Sequence, residues 1–270
     1  MGSDYIHGFS IEEQDRLYAQ ALYLEPMVFS GVSYPKDAHV LEVGCGVGAQ
    51  TQLLLKKFPS IKISAVDLSS SQVERARAQL RREISAGRVS FSVADAARLD
   101  FPEGSFTGAF VCWLLEHAPR PVDILKEARR LLKPGAIIHG IEVLNSSLFV
   151  YPGCPAVMEY WSALNDRQQA LGGDPNVGAK IGNYLKEAGF TDCKTDPYGR
   201  HYDQRDRAAF VEMIDYWEIL MASAAPELLA GKLIDPDLPQ RMKVELAALR
   251  AHAGGLFYYT PIKYSAKAPY

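Results

Sequence analysis

Val40-Leu41-Glu42-Val43-Gly44-Cys45-Gly46-Val47-Gly48 is the stretch that decides the fold of this chain. Four residues rich in apolar side chains run into glycines at alternate positions, and residues 49–57 then repeat at helical spacing. Alternate glycines let backbone approach a ligand closely and admit positive φ. Strand, glycine turn and helix in that order form the first unit of a parallel sheet. Gly44, Gly46 and Ala49 also satisfy the dinucleotide pattern G-x-G-x-x-G/A, so the surroundings must decide which ligand the turn serves.

Outward from the turn the alternation continues. Residues 61–66, 88–93, 109–112 and 136–143 read as strands. Residues 70–85 read as a helix with Val73, Ala76, Leu80 and Ile84 inward, and 122–132 as another, stopped by Lys133-Pro134-Gly135. Upstream, Ser10 with Glu13 makes a capping box. It predicts a helix over 11–25, with a stripe of Ile11, Leu17, Ala21 and Leu24, ended by Pro26. Past Leu144 the alternation loosens: helical stretches at 155–171, 178–188, 206–224 and 239–251 surround one strand near Phe190 and another at 256–260. Strands alternating with helices imply a parallel-dominated α/β sheet of seven strands, covered on both faces. The expected organisation is one domain over 1–270: a helical cap (1–35), a cofactor core (36–144), helical lid insertions carrying one core strand (145–253), and a closing strand (254–264).

Composition narrows the function. The 270 residues carry 29 Lys+Arg against 32 Asp+Glu, net charge -3, which gives no electrostatic drive toward nucleic acid. No apolar run approaches the ~18–20 residues of a membrane span, and the first residues lack a signal-peptide pattern. Cys45, Cys112, Cys154 and Cys193 form no C-x-x-C, and the 6 histidines form no H-E-x-x-H. These features predict a cytoplasmic, reduced, metal-free protein without nucleic-acid or membrane partners.

Three features turn the glycine loop away from a pyrophosphate. Glu42, two residues before Gly44, would repel phosphate and suits an ammonium group. Gly48 extends the spacing to G-x-G-x-G. Asp95 with the small Ala96, after the third strand, can accept from an adenine amino group while leaving room for the ring. Asp67 follows Gly44 by 23 residues, where a carboxylate meets ribose hydroxyls; Ser69 and Ser70 are available to cap the next helix instead.

Together these residues resemble the class I S-adenosylmethionine (SAM)-dependent methyltransferases, nearest the small-molecule, ubiquinone-biosynthesis-like group. The resemblance rests on residues 40–48, Asp67-Leu68-Ser69, Asp95-Ala96, Leu115-Glu116-His117 and Leu132-Lys133-Pro134-Gly135, with a leader around Tyr5 to Ser10, Arg16 and Gln20. It implies a Rossmann-like sheet with helical lid insertions, and SAM as cofactor. Gly44, Gly46 and Gly48 would line its methionine portion, Asp67 would hold the ribose, and Leu68, Asp95 and Ala96 would frame the adenine. Cys112 would offer backbone to the amino group, and Arg16 and Gln20 would reach the carboxylate.

Methyl transfer from a sulfonium is an in-line displacement on an activated donor, so positioning is the protein's main task. A base is needed only for a nucleophile that keeps its proton. His117 is the candidate base, with a purely structural hydrogen bond as its alternative; Glu116 could steady a developing cation, and Tyr5 or His7 could enter from the leader. Of 14 tyrosines, 10 lie beyond Leu144, with 2 of 3 tryptophans. Trp161 and Trp217 read singly as core; as a group these aromatics suit a pocket for a small apolar or aromatic acceptor. The competing readings are an NAD(P)-dependent oxidoreductase, which lacks a Tyr-x-x-x-Lys pair here, and a non-catalytic SAM-binding protein. A nucleic-acid methyltransferase is disfavoured because Cys112-Trp113-Leu114-Leu115 stands where N/D-P-P-Y is required.

Overall fold

The computed structural model describes residues 6–8 and 10–270, so Tyr5 lies outside the described residues. Helix α1 (Ile11–Val28) leads into β1 (His39–Val43), α2 (Ala49–Lys57), β2 (Lys62–Asp67), α3 (Ser70–Gln79), α4 (Arg81–Ser85) and β3 (Val89–Val93). Then come β4 (Phe106–Cys112), α5 (Pro121–Leu131), β5 (Leu132–Glu142), β6 (Phe149–Tyr151), α6 (Pro155–Ala170), α7 (Val177–Glu187) and β7 (Thr191–Pro197). The chain ends with β8 (Arg200–Asp203), α8 (Arg207–Ser223), α9 (Ala225–Ala230), α10 (Leu238–Ala251), β9 (Leu256–Tyr259) and β10 (Ile262–Lys267).

The central sheet has 7 strands in the order β3-β2-β1-β4-β5-β10-β7. The first five are parallel, and β10 runs antiparallel to both neighbours. Strand order reverses between β1 and β4, and the crevice beyond their carboxyl ends is where such sheets hold ligands. Val40, Leu54 and Val73 pack one face; Leu41, Leu125 and Ile181 pack the other. A third core joins α6, α8 and α10 through Tyr160, Ile214 and Met242.

Several local expectations change in the folded chain. The Ser10 hydroxyl accepts from the Glu13 N–H (3.2 Å), as a capping box requires, but the Glu13 carboxylate turns to Arg16 instead of back to the cap. Pro26 does not end α1, because Met27 and Val28 beyond it are buried and hold the last turn. Leu22, whose carbonyl loses its helical partner to the proline, is exposed to water. Ile11 faces solvent at 66% exposure. The expected single helix over 70–85 breaks at Leu80, which leaves α4 without a buried residue and Ile84 outside the core.

The largest difference lies at the C-terminus. Residues 256–259 do not close the central sheet. They form the middle of a second, antiparallel sheet, β6-β9-β8, and the closing strand of the central sheet is β10. Two short strands separated by Thr260 and Pro261 read as one apolar run in sequence, yet they serve different sheets.

Candidate active site

Beyond the carboxyl ends of β1 and β4 lies a cavity of about 400 Å³. The β1–α2 turn forms its floor. Gly46 sits at φ +50° and a side chain there would enter open space; Gly44 sits at φ +75° with Leu114 packed against it. The Asp67 carboxylate, ending β2, accepts from the Gly46 N–H (2.8 Å) and the Ser69 N–H (2.9 Å), which ties the glycine turn to the start of α3. Burial pushes the Asp67 carboxyl upward, and those amides, with that of Leu68, pull it back. Ser69 itself caps α3, accepting from Gln72 N–H, so Asp67 is free of that task. Leu68 stands 55% exposed at the lip and offers an apolar surface there. The Asp95 carboxylate accepts from the Ala97 N–H (2.9 Å) and holds the loop that brings Ala96 to the wall.

Gly44, Gly46, Asp67, Leu68, Asp95, Ala96 and Cys112 all line this end, with Arg16 and Gln20 from α1 facing them. Two residues of the sequence reading stand elsewhere. Gly48 is not on the wall: at φ +80° it begins α2, and a Cβ there would meet Ala76 at 3.0 Å and Leu80 at 3.2 Å. Its work is close packing of α2 on α3. Glu42 is 2% exposed and stands behind the turn instead of in it. Its Oε2 has no hydrogen-bond partner, and burial pushes its carboxyl up to about 8, with the Thr51 hydroxyl pulling the other way and Asp67 adding to the rise.

The remaining wall of the cofactor end follows β4. Burial pushes the Cys112 thiol well up, with Glu142, Glu42 and Glu116 adding to the rise, so this thiol is inert. Trp113 holds φ +50°, which for a bulky residue costs about 1–3 kcal/mol. The turn keeps this conformation because Trp113 N–H reaches Ile141 O (3.0 Å) while the buried Glu142 carboxylate accepts from the Leu114 and Leu115 amides (3.3 and 3.0 Å). That arrangement presents Glu116 and His117, on one turn of 3₁₀ helix, to the cavity. Gln168 of α6 donates to Glu116 Oε2 (2.8 Å) and lies 3.4 Å from His117 Nδ1; His117 Nε2 is 3.7 Å from Glu116 Oε1. Glu142 and Gln168 escaped the sequence reading, because a lone buried carboxylate in a strand and a lone helical glutamine carry no pattern.

On α1, Arg16 is clasped by Glu13 through two bonds of 2.6 Å and donates to Gln20 Oε1 (2.6 Å). The pair is set in place on the wall with its charge already balanced. His7 also lines the cavity; its Nδ1 is 2.6 Å from Ser223 Oγ, and burial, then Arg16 and His117, hold the imidazole well below its usual range.

Aromatic rings make up another part of the wall: Trp161, Tyr216, Trp217, Phe257 and Tyr259 line it. Trp217 meets Trp161 and Tyr259 at 4.9 Å each and Phe257 at 5.1 Å. Trp161 and Trp217 are 5% and 3% exposed, so the choice between core and pocket dissolves: each is both. Tyr160 is core alone, its hydroxyl donated to Met221 O (2.7 Å), and Tyr151 faces solvent.

The groups at the cofactor end fit a sulfonium-bearing nucleoside. Backbone open at Gly46, a carboxylate at Asp67, an apolar platform at Leu68 and, among the described residues, no lysine or arginine of the strand-end loops on the wall suit a cation on ribose and adenine better than phosphates. Residues 41–139 match the family model described as "Methyltransferase domain". Among similar proteins, the O-methyltransferase cnsE of Penicillium expansum is 33% identical over 160 residues, 59% of this chain and 54% of that protein. The 2-methyl-6-phytyl-1,4-hydroquinone methyltransferase of a Synechocystis strain is 36% identical over 107 residues, 38% of this chain and 31% of its own. These matches therefore span about half or less of the relatives' lengths. Among solved structures, the [4+2]-cyclase SpnF superposes with a TM-score of 0.55 at 20% identity, over 95% of this chain and 81% of its own, which is a likeness of fold.

Proposed function

We propose that the protein transfers a methyl group from SAM to a small, apolar or aromatic metabolite. One observation carries the reading: a single cavity is lined both by Gly46, Asp67 and Asp95 and by Trp161, Trp217 and Tyr259. Donor and acceptor would share one chamber, which is the condition for in-line displacement, and such positioning contributes up to about 7–11 kcal/mol. SAM supplies the activated methyl. Asp67 would hold the ribose, Leu68, Asp95 and Ala96 the adenine, and Gly44, Gly46 and the Cys112 backbone the methionine portion. Arg16 and Gln20 close over it from α1.

His117 would take the proton of a hydroxyl acceptor, with Glu116 steadying the imidazolium. The likeness to cnsE, an O-methyltransferase by name, supports an oxygen acceptor, and the likeness to a hydroquinone methyltransferase keeps a phenolic ring in view. The fold carries no reaction by itself, since it is shared with a protein named as a cyclase. A cytoplasmic location belongs to this proposal, as does the absence of a nucleic-acid partner, for which the balanced charge is the argument; among the described residues no helix is long and apolar enough to cross a membrane.

The test is direct. Mass spectrometry of the purified protein should find SAM or its demethylated product, and SAM at about 100 times its Kd should stabilise the fold by about 2.7 kcal/mol. Stabilisation by NADH without any by SAM would overturn the reading. Transfer of labelled methyl from SAM to a panel of phenols and hydroquinones then separates an enzyme from a protein that only binds SAM.

A further inference from the structure

Arg16 and Arg200 are the two arginines on the cavity wall, and they are held in opposite ways. Arg16 spends its guanidinium on Glu13 and Gln20. Among the described residues, Arg200 has no carboxylate within 4.0 Å; its Nε donates to the Tyr202 hydroxyl (3.0 Å), and its two terminal nitrogens make no hydrogen bond to any of them. The group is nevertheless fixed, lying 5.5 Å from the ring centres of both Tyr198 and Tyr202.

The second sheet explains why it faces inward. Arg200 of β8 pairs with Tyr259 of β9, and Tyr202 with Phe257. Strand alternation puts these four side chains on one face, and Arg200, Tyr259 and Phe257 of them reach the cavity. Trp217, which meets Tyr259 at 4.9 Å, and the apolar Met213 and Leu220 are also on the cavity wall. A guanidinium fork immobilised on aromatic rings, with its free edge toward an apolar chamber, is matched by a planar anion that takes both N–H groups at once.

We propose that Arg200 anchors a carboxylate on the acceptor, so that the substrate is an aromatic acid. The inference rests on the methyl-transfer reading only for the word acceptor; the anion site stands on the geometry of β8 and β9. It also sets an orientation: the acid end is drawn to Arg200 and kept from the Glu116 carboxylate, which leaves the rest of the ring for the donor side.

Calorimetry with 6-hydroxy-2-naphthoate and 2-naphthol, which differ by the carboxylate alone, tests this without turnover. The acid should bind the wild-type protein about tenfold or more tighter, a preference that shrinks with added salt. Arg200→Met should abolish the preference while SAM affinity stays unchanged, and Arg200→Lys, a point charge without the fork, should keep part of it. Equal affinity of the wild type for both probes, or a preference that survives in Arg200→Met, overturns the proposal. If Arg200→Met does not fold, the wild-type pair and Arg200→Lys still decide. Failure of SAM to bind would strike the methyl-transfer reading and leave this comparison intact.

Discussion

Between Gly44 and Ala96 the cavity wall is backbone, short side chains and carboxylates, supplied by the ends of three neighbouring strands. Between Asn145 and Pro261 it is mostly aromatic and aliphatic side chains, with Asn145, Gln168 and one guanidinium, supplied chiefly by α6, α8, β8 and β9. The first region needs few side chains because parallel strands already aim their carboxyl ends at one crevice, and Asp67 has only to tie Gly46 to Ser69. The second has no such frame. Its shape comes from packing, so the same tryptophans close the third core and bound the pocket. A cofactor end made of backbone can recur with many acceptor ends made of side chains, which is how one fold serves many substrates.

This contrast can be broken at several points. The largest effect is expected in turnover: His117→Asn should lower methyl transfer about 10²–10⁴-fold while leaving SAM affinity, read by calorimetry, as it was. Unchanged turnover would reduce His117 to a structural residue. Next, Trp217→Ala should cost about 3 kcal/mol in urea unfolding, because the ring packs on Trp161, Phe257 and Tyr259. A loss below about 1 kcal/mol would mean that the acceptor wall is separable from the core, and the contrast drawn above would fail.

At the cofactor end, Asp67→Asn should weaken SAM about 100-fold, the equivalent of about 2.7 kcal/mol, with a smaller change in stability than Trp217→Ala. Equal SAM affinity would remove the ribose assignment.

The smallest effect is a pH dependence. Glu42 binds its proton more tightly folded, at about 8, than the ordinary carboxyl value of 4.5. Folding is therefore favoured below the lower value and loses ground as pH rises toward 8, where the buried group must ionise. Glu42→Gln should be the more stable protein at pH 8 by about 1–2 kcal/mol, less than the full shift because a buried site relaxes around its charge, and the advantage should fade by pH 5. An advantage that is constant across this range would mean that Glu42 does not titrate there.

Much of the cofactor end was legible in the chain, for a local reason: a glycine turn, an acid at a strand end and a small residue after a strand are each set by neighbours in sequence. The exceptions are instructive. Gly48 fits the turn pattern, yet its place is dictated by contact with Ala76 and Leu80 on another helix. Glu42 fits an ammonium partner by spacing, yet strand alternation sends it behind the turn into a buried site. On the acceptor side, the enrichment of rings after Leu144 pointed to a pocket without saying which rings. Trp161, Tyr216, Trp217 and Tyr259 reach it while Tyr151 and Tyr160 do not, a sorting made by helix packing and by the pairing of β8 with β9.

The amino-acid sequence by itself determined the order of strands and helices through Leu144, the crevice turn and the short residues that line the crevice beside it, because periodicity and turn chemistry act over a few residues. Only the tertiary structure decided that Leu256–Tyr259 leaves the central sheet, that Glu142 and Gln168 set the Glu116–His117 turn, and that Arg200 faces the cavity without a counter-charge. Those outcomes depend on partners far apart along the chain, and pairing at that distance is chosen by burial and register, which no local pattern records.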